Sequence, residues 1–353
     1  METTITIESI AFGGAGVGRL PDGRACFVQG TLPGERAEVN VVRSKKSYAE
    51  AEVVRLLEVS TRRVRPLCPV FGTCGGCTYQ HADYPLQLEI KTGQISALLQ
   101  RMGGFSEADV RPMLPSPDQW GYRNRLSVHI QDGRVGFHGR KSHRIVEVSN
   151  CPLGNEAVNA RLAELSASRP RGTDRMTLRD STEGVRGFSQ VNTGAAEVLS
   201  EVVLGMLGGG GKLLVDAYCG AGFFTKRLRG HFASVIGIEW SEAAIRAARV
   251  ETAETETYLA GAVEAHLATA LENAAPEETA LLLDPPAEGL SSDVIAVIQE
   301  RRPANLVYVS CDPATLSRDL KKLSASYRLE FVQPVDMFPQ TAEIESVTKL
   351  KVL

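Results

Sequence analysis

The second half of the chain carries four near-continuous apolar runs, each of which ends in a polar residue. The runs are KLLVD (212–216), SVIGIE (234–239), ALLLD (280–284) and NLVYVSC (305–311). Strands of a parallel sheet show this pattern because helices cover both faces of the sheet. Stretches with a helical pattern, such as 242–248, lie between the runs. This alternation predicts a doubly wound α/β domain of the Rossmann-like kind from about residue 188.

The first 59 residues have a different pattern, in which short strands alternate with turns. Apolar or alternating stretches at 5–7, 25–28, 37–42 and 49–54 are separated by turns that contain Gly or Pro. Several short strands at this spacing predict a small β-barrel of the OB kind. The sequence Arg-Ser-Lys-Lys at 43–46 lies where such a barrel could contact a phosphate backbone.

Between these regions, residues 60–187 combine a loop, a helix and a small antiparallel sheet. Residues 60–80 are rich in Pro, Gly and Cys, which predicts a loop, and 84–102 has apolar residues at helical spacing. Three short strands follow at 125–130, 134–137 and 145–148, with an Asp-Gly hairpin turn after the first. We therefore expect a central α+β domain.

The net charge divides unevenly between the front and the back of the chain. Residues 1–187 carry 25 Lys and Arg against 20 Asp and Glu, whereas residues 188–353 carry 14 against 22. A basic front half suggests a part that binds a polyanion, with a separate catalytic part behind it. Chance variation in surface charge explains the same numbers equally well. Together with the patterns above, the charge suggests three domains, at 1–59, 60–187 and 188–353.

A Gly-x-Gly turn follows the first buried strand and suggests a nucleotide-like ligand. The strand ends at Asp216, the turn contains Gly220 and Gly222, and the next strand ends at Glu239. A carboxylate at the second position can bond both hydroxyls of a ribose. Thr225 stands where a dinucleotide motif has its third glycine, so a nicotinamide cofactor fits less well. Asp216 suits the ammonium group of S-adenosylmethionine, although a Gly-x-Gly turn alone is compatible with an ordinary β–α connection.

Further reactive side chains are predicted at the same edge of the sheet. Asp284 precedes two prolines that stiffen its loop, and Cys311 ends the fourth buried strand. A lone cysteine is more often a packing residue, but its place at a strand end favours a nucleophile. Glu343 and Glu345 share one face if the last segment is a strand, and either could be a general base or a solvated edge charge.

A thiol, a carboxylate base and a methyl donor are the groups needed to methylate carbon 5 of uracil. A thiolate that adds to carbon 6 converts carbon 5 into a nucleophile, which can attack a sulfonium methyl group. A base then removes the proton from carbon 5, and the thiolate leaves.

Three cysteines lie on one Gly-rich loop and suggest a metal or cluster site. The loop carries Cys68, Cys74 and Cys77, and Cys151 is the natural fourth ligand. Four thiolates suit zinc or an iron–sulfur cluster. Zinc sites more often contain two Cys-x2-Cys pairs, and only one is present, so the spacing slightly favours iron–sulfur. The alternative, four cysteines without a common ligand, is disfavoured because three of them lie within ten residues of one loop. The remaining Cys26 and Cys219 are interpreted as packing residues.

Several segments, taken in order, resemble the RNA (uracil-5-)-methyltransferase family. They are DAYCGAGFFT (216–225), LLLDPPAEGL (281–290), VYVSCDPATLSRDL (307–320) and DMFPQTAEIESV (336–347). GGAGVGRL (13–20) is similar to the TRAM domain of that family, and CPVFGTCGGCTYQH (68–81) to the cluster-binding stretch of its 23S ribosomal RNA branch.

The resemblance implies a role for each candidate residue. Cys311 would be the nucleophile and Glu345 the base, and the four cysteines would hold a structural [4Fe–4S] cluster. The residues implied to bind S-adenosylmethionine, with the turn glycine included, are Gln190, Tyr218, Gly220, Glu239 and Asp284.

This chain departs from the family pattern at several positions. Ala287 stands where the family usually has Arg, and Phe223 and Ala262 stand where polar side chains are common. Gln340 and Glu343 replace His residues of the last motif. Substrate choice and cofactor affinity are the properties that these departures put in question.

Three basic stretches in the front half are candidates for RNA binding. They lie at 62–65, 122–125 and 139–144, with Tyr122 or Phe137 available to stack on a flipped-out base. Each stretch alone is compatible with a solvated surface, and together they favour RNA as the polyanion. The target uridine must leave any stack, which predicts a single-stranded or loop site.

The sequence therefore predicts an S-adenosylmethionine-dependent RNA uracil methyltransferase that acts on 23S ribosomal RNA. Transfer RNA remains an alternative substrate, and two other readings are an RNA-binding module that has lost the chemistry and a nicotinamide oxidoreductase.

No apolar run approaches the ~18 residues of a membrane span, and no secretory signal precedes the first strand. We expect a cytoplasmic monomer without membrane contacts.

Overall fold

The computed structural model describes residues 2–180 and 190–353. Within these residues the chain forms sixteen strands and eight α-helices, which belong to two compact units. The first unit contains the described parts of Met1–Gln94, Pro117–Thr182 and Phe338–Glu343, and the second contains the rest. The expected domain boundary at 187/188 lies outside the described residues, and the three-domain division stays a prediction.

The first unit begins with a closed five-stranded β-barrel, as the OB-like pattern predicts. Its strands are β1 (Glu2–Ile10), β2 (Ala15–Arg19), β3 (Ala25–Gln29), β4 (Arg36–Ser44) and β5 (Tyr48–Glu58). They close in the order β1-β2-β3-β5-β4. Buried side chains such as Ile5, Ile7 and Val28 fill the interior. The sequence does not predict β2, because glycine is uncommon in strands and β2 contains Gly18. The barrel requires glycine at this position, since a Cβ there would lie 2.4 Å from the carbonyl oxygen of Thr6.

The same unit contains a four-stranded antiparallel sheet with the order β8-β7-β6-β9. The elements are α1 (Tyr84–Leu98, which starts in this unit), β6 (Arg125–Gln131), β7 (Arg134–His138), β8 (Ile145–Glu147), α2 (Glu156–Ser168) and β9 (Thr173–Arg179). Asp132 and Gly133 have φ angles of 49° and 83°, the left-handed conformation that a tight β6–β7 hairpin requires. β9 was not predicted, because its sequence TDRMTLR lacks an apolar face.

The second unit is the doubly wound α/β domain that the apolar runs predict. Its strands are β10 (Gly211–Ala217), β11 (Phe232–Glu239), β12 (Glu256–Ala260), β13 (Thr279–Leu283), β14 (Asn305–Ser310), β15 (Tyr327–Val335) and β16 (Glu345–Val352). Its helices are α3 (Thr193–Met206), α4 (Phe223–Leu228), α5 (Glu242–Ala248), α6 (Val263–Leu271), α7 (Ser292–Arg301) and α8 (Pro313–Leu323).

The seven strands of this sheet have the order β12-β11-β10-β13-β14-β16-β15. The first five are parallel, and β16 pairs in antiparallel fashion with both β14 and β15. The strand order reverses direction between β10 and β13, and open α/β sheets bind ligands at the carboxyl side of such a point. No helix among the described residues is both long enough and apolar enough to cross a membrane.

Candidate active site

The turn after β10 is shaped by residues in the left-handed backbone conformation. Tyr218, Gly220 and Gly222 have φ angles of 67°, 55° and 81°. A Cβ at Gly222 would lie 2.9 Å from the hydroxyl of Tyr258, so glycine is needed there for space as well as for conformation. The turn lies at the carboxyl edge of the sheet and leads directly into α4.

Asp216 lies at this edge with one carboxylate oxygen satisfied and one without a partner. The side chain is fully buried, and its Oδ2 accepts a hydrogen bond of 2.5 Å from the hydroxyl of Thr225. Its Oδ1 has no hydrogen-bond partner in the described structure. Burial raises the pKa of Asp216 to about 7, and the charge of Glu239 adds to the rise. A buried acceptor without a donor is costly, so this carboxyl suits a cationic ligand group.

Glu239 holds the turn and keeps capacity for a ligand. Its Oε2 accepts the backbone N–H of Gly220 at 3.2 Å, and its Oε1 accepts that of Ser241 at 2.8 Å. Each carboxylate oxygen can accept two hydrogen bonds, so both retain one acceptor position for a ribose hydroxyl. The structure thus brings together two of the residues that sequence reasoning assigned to the cofactor.

Asp284 directly follows β13, the strand next to β10 in the sheet. Its backbone N–H donates to the carbonyl of Ala217 at 3.3 Å, so it lies beside the Gly-x-Gly turn. Burial raises the pKa of its carboxyl to about 7, and the nearby charge of Asp216 contributes. Tyr218 is half-buried in the turn, and Gln190 is half-buried shortly before α3. Phe188 and Ser189, which precede Gln190 in the sequence motif, lie outside the described residues.

Cys311 directly follows β14, and its side chain is exposed. The antiparallel register of β14 and β16 pairs Ser310 with Ser346, which places position 311 opposite Glu345. Although the thiol opens to solvent, the surrounding protein reduces its hydration and raises its pKa to about 12, and the charges of Glu345 and Asp284 contribute. The expected nucleophile, the expected base and one expected cofactor ligand therefore lie together.

The two glutamates of the last motif are not equivalent. β16 begins at Glu345, which is 8% exposed, so Glu343 precedes the strand. The prediction that both share one strand face is therefore wrong, because the strand starts two residues too late. Glu343 belongs to the first unit and lies 3.5 Å from the guanidinium of Arg123. The charge of Glu345 contributes to the raised pKa of the Cys311 thiol.

The segment Phe338–Glu343 is held firmly within the first unit by α1. Lys91 is fully buried and donates to the carbonyl of Phe338 at 3.0 Å. Gln87 donates to the side-chain oxygen of Gln340 at 2.9 Å and accepts the backbone N–H of Gln340 at 3.0 Å. Sequence reasoning missed Gln87 and Lys91, since nothing in a helical pattern marks a polar residue that serves a segment about 250 positions away.

A second network that sequence reasoning missed joins α8 to the loop after Asp284. Asp319 is fully buried, and its Oδ2 accepts the backbone N–H of Leu290 at 2.8 Å and the hydroxyl of Tyr308 at 2.9 Å. Arg318 donates to the carbonyl of Glu288 at 2.7 Å. The helix that begins just after Cys311 therefore fixes the loop that carries Asp284.

The departures from the family pattern have identifiable surroundings. Phe223 lies under the guanidinium of Arg227, whose central carbon is 4.1 Å from the ring centre. Ala262 precedes α6 and gives it no side-chain cap. Ala287 is exposed in the loop that α8 holds.

The four cysteines of the expected cluster site are half-buried free thiols in the first unit. Burial raises the pKa values of Cys74, Cys77 and Cys151, and in each case the charges of other cysteines of this set contribute. The four thiols are thus close enough to influence one another. Within the described residues, no three or more His, Cys, Asp or Glu side chains are grouped in a way that would hold a metal ion. Cys26 and Cys219 are buried in apolar clusters.

Two of the expected RNA-binding stretches are largely engaged in internal contacts. Arg62 pairs with Asp83 at 2.5 Å, and Arg63 pairs with Glu35 at 2.6 Å. Tyr122 is 6% exposed and donates its hydroxyl to a backbone carbonyl, so it is not available to stack on a base. Phe137, the other expected stacking residue, packs against the core of the antiparallel sheet.

Comparisons with known proteins agree with this architecture. The TRAM domain model matches residues 2–54, and the model described as tRNA (Uracil-5-)-methyltransferase matches residues 270–352. A Synechocystis protein described as an RNA methyltransferase is 32% identical over 98% of this chain and 95% of its own length. A Bdellovibrio bacteriovorus protein with the same description is 34% identical over 99% of this chain and 94% of its own length.

A solved structure has the same fold over the full chain. It is the Pyrococcus abyssi tRNA (uracil-54, C5)-methyltransferase in complex with S-adenosyl-L-homocysteine, at 24% identity, with a TM-score of 0.72. The alignment covers 99% of this chain and 100% of that one. Fold and matches together define the class, RNA methyltransferases that depend on S-adenosylmethionine and carry a TRAM domain. Within that class, the chain belongs to the RNA (uracil-5-)-methyltransferase family.

Proposed function

We propose that this protein methylates carbon 5 of a uridine in RNA through a covalent bond between Cys311 and the uracil ring. The observation that carries the proposal is the β14–β16 register, which places Cys311 opposite Glu345. Asp284 lies within electrostatic range of the same thiol, at the edge where Asp216 is the last residue but one of β10 and Glu239 is the last residue of β11. One edge of the sheet thus carries a nucleophile, a base and a binding site for a cationic donor.

The fit of S-adenosylmethionine rests on the carboxylates of this edge. The unpartnered Oδ1 of Asp216 and the pKa values of about 7 for Asp216 and Asp284 indicate a site that lacks positive charge. Glu239 would hold the ribose hydroxyls, and Gly220, Tyr218 and Gln190 would line the rest of the site. When bound, S-adenosylmethionine supplies a methyl group on a positively charged sulfur.

The chain's own groups carry the steps at the uracil ring. Cys311 loses its proton to solvent, to which its side chain is open, and its sulfur bonds to carbon 6 while the ring electrons move towards carbon 5. Carbon 5 then takes up the methyl group. Glu345 accepts the proton that carbon 5 must lose. The electrons of that C–H bond re-form the ring double bond, and the bond between sulfur and carbon 6 breaks.

A transfer assay tests the proposed function. Labelled S-adenosylmethionine and RNA transcribed in vitro should give 5-methyluridine with the wild-type protein, and the Cys311→Ala variant should lose the activity while it still binds S-adenosylmethionine. Wild-type turnover by Cys311→Ala would remove this cysteine from the mechanism. RNA binding by the wild-type protein without any methyl transfer would favour the alternative of an RNA-binding module.

We propose 23S ribosomal RNA as the substrate. The support is the loop CPVFGTCGGCTYQH (68–81), which resembles the ribosomal branch of the family. The solved structure with the same fold acts, by its description, on transfer RNA. Parallel assays on 23S ribosomal RNA and transfer RNA transcripts separate the two, and methylation confined to transfer RNA would overturn the proposal.

We also propose that Cys68, Cys74, Cys77 and Cys151 hold a [4Fe–4S] cluster. The support is that the charges of other cysteines of the set contribute to the raised pKa values of Cys74, Cys77 and Cys151, together with the family resemblance of their loop. In a cubane each thiolate binds a different iron, so four sulfurs need not converge on one point. Anaerobically purified protein should contain about four iron atoms, and Cys74→Ser should lose them, whereas Cys26→Ser should retain them.

The compartment and the oligomeric state of the protein are proposed on the same basis. Free thiols and an RNA substrate suit the cytoplasm, where cysteines stay reduced. We propose that the protein acts there as a monomer, which light scattering at assay concentration would test.

A further inference from the structure

The outward face of the β8-β7-β6-β9 sheet carries a set of cations. On β6, the apolar residues Leu126, Val128 and Ile130 pack into the core with α2. Since side chains alternate along a strand, Arg125 and His129 point to the opposite face. The strand register adds Arg179 and Arg175 beside them, and His138 follows on β7. We call this set, Arg125, His129, His138, Arg175 and Arg179, the basic face.

Like charges oppose each other directly across two strands of the basic face. The β6–β9 register pairs Arg125 with Arg179 and His129 with Arg175. Directly opposed like charges destabilise a sheet. Burial lowers the pKa of Arg125, and the charges of Arg179 and Arg123 lower it further. The strand register thus sets cations side by side on this face.

The histidines of the basic face form a stack that continues onto the following turn. The rings of His129 and His138 are parallel, with centroids 3.6 Å apart, and His143 meets His138 edge-on at 5.3 Å. Burial lowers the pKa of His129, and the charges of His138, Arg175 and His143 lower it further. The groups that shift this imidazole lie on β7, on β9 and in the turn. On β8, Glu147 shares the face, in the row His129–Gly136–Glu147, with the glycine between it and the imidazole.

We propose that the basic face is an RNA-binding surface, on which the phosphate backbone crosses β6 and β9. This inference rests on the proposed function and names the surface that its substrate contacts. The two opposed pairs stand four residues apart along the strands, which is about 13 Å. Such a spacing suits an extended polyanion better than a single phosphate. Arginines bind phosphate, and the imidazole stack offers a flat surface to a base.

The basic face shares only Arg125 with the basic stretches that the sequence suggested for RNA binding. The contiguous stretch at 62–65 has its first two arginines in ion pairs with carboxylates. The charges of the basic face come instead from separate strands, and β9, which carries two of its arginines, was not predicted. A cluster of this kind becomes visible only when the strand register is known.

Salt-dependent binding of a labelled 20-nucleotide oligouridylate tests the proposal. The double variant R175Q/R179Q should bind about 10- to 30-fold more weakly near 0.1 M salt, and its plot of log affinity against log salt should be shallower by about 1.4. The control R246Q/R301Q makes the same change in net charge on α5 and α7 and should leave both values unchanged. If the double variant does not fold, the single variant R175Q, at an exposed position of the edge strand, should make the slope shallower by about 0.7.

Affinity should also rise as the pH falls from 8 to 6. A polyanion raises the pKa of a histidine that it contacts, so binding should take up a proton at His129, whose pKa is lowered in the protein alone, and H129Q should reduce this rise. The proposal that the basic face binds RNA would be overturned if R175Q/R179Q kept the wild-type affinity and salt dependence. It would also be overturned if the control variant lost as much affinity as R175Q/R179Q. Methyl transfer by the wild-type protein is scored separately, so a protein that binds through this face without transferring methyl would refute only the proposed function.

Discussion

At the scale of single residues, the electrostatics of Cys311 is the feature that most restricts the chemistry. Its pKa of about 12 means that the thiol is protonated at neutral pH when no cationic ligand is bound. Reduced hydration is the larger cause, and the charges of Glu345 and Asp284 add to it. A positively charged methyl donor at the same edge would offset these charges. Thiolate formation is therefore expected to depend on the donor.

Alkylation of Cys311 measures this effect without any RNA. In Glu345→Gln one negative charge near the thiol is removed, so the pKa of Cys311 should fall and iodoacetamide should modify it several-fold faster at pH 8. Glu343→Gln is the matched control, because it removes the same charge from a carboxylate that lies against Arg123. Mass spectrometry of the modified peptide gives both rates. Equal rates in the two variants would show that Glu345 does not face the thiol.

At the scale of secondary-structure elements, α8 fixes the loop that follows β13. It begins just after Cys311, and Asp319 in its second turn accepts the backbone N–H of Leu290. Gly289 lies so close that a Cβ there would be 2.3 Å from the Asp319 carboxylate. One helix thus connects the nucleophile to the loop of Asp284. The positions of these two groups should depend on it.

Replacement of Asp319 should weaken S-adenosylmethionine binding without a change in any group expected to contact the donor. Asp319→Ala leaves the N–H of Leu290 without its partner, at a cost of about 1–3 kcal/mol. Titration calorimetry should show roughly tenfold weaker binding. Tyr308→Phe removes a hydrogen bond to the same carboxylate oxygen and leaves the loop contact in place, so its affinity should match the wild type. Equal losses in both variants would indicate general destabilisation.

The elements also show what sequence could and could not predict. β10, β11, β13 and β14 were predictable because buried parallel strands are continuous apolar runs, and the reactive residues could be placed at their carboxyl ends for the same reason. The pairing of Cys311 with Glu345 was not predictable, since it depends on an antiparallel register. The partners of Arg62 and Arg63 lie 21 to 28 positions away in sequence, so those arginines looked available.

At the scale of the whole molecule, the buried carboxyls of the cofactor edge link stability to pH. Burial holds the pKa of Asp216 near 7, above its value of about 4 in an unfolded chain. A carboxyl with a raised pKa favours the folded state while it is protonated. Stability without ligand should therefore decrease as the pH rises from about 4 to about 7, and the cost should be complete above that range.

Thermal unfolding of Asp216→Asn tests this linkage. The variant cannot ionise at this position, so at pH 8 it should be more stable than the wild type, by up to about 4 kcal/mol. At pH 4.5 the difference should shrink. S-adenosylmethionine should stabilise the wild type and not the variant. A variant that is less stable than the wild type at both values would show that the buried carboxylate is already satisfied by the protein.

The central claim, a covalent bond between Cys311 and uracil that Glu345 resolves, is tested most directly by trapping the adduct. Glu345→Gln should take up S-adenosylmethionine and RNA and stop with the protein bound to the methylated base. Peptide mapping of the adduct, which should resist denaturing electrophoresis, should place the nucleotide on Cys311. Glu343→Gln should turn over without accumulation. An adduct on another residue, or free 5-methyluridine released by Glu345→Gln at the wild-type rate, would contradict the mechanism.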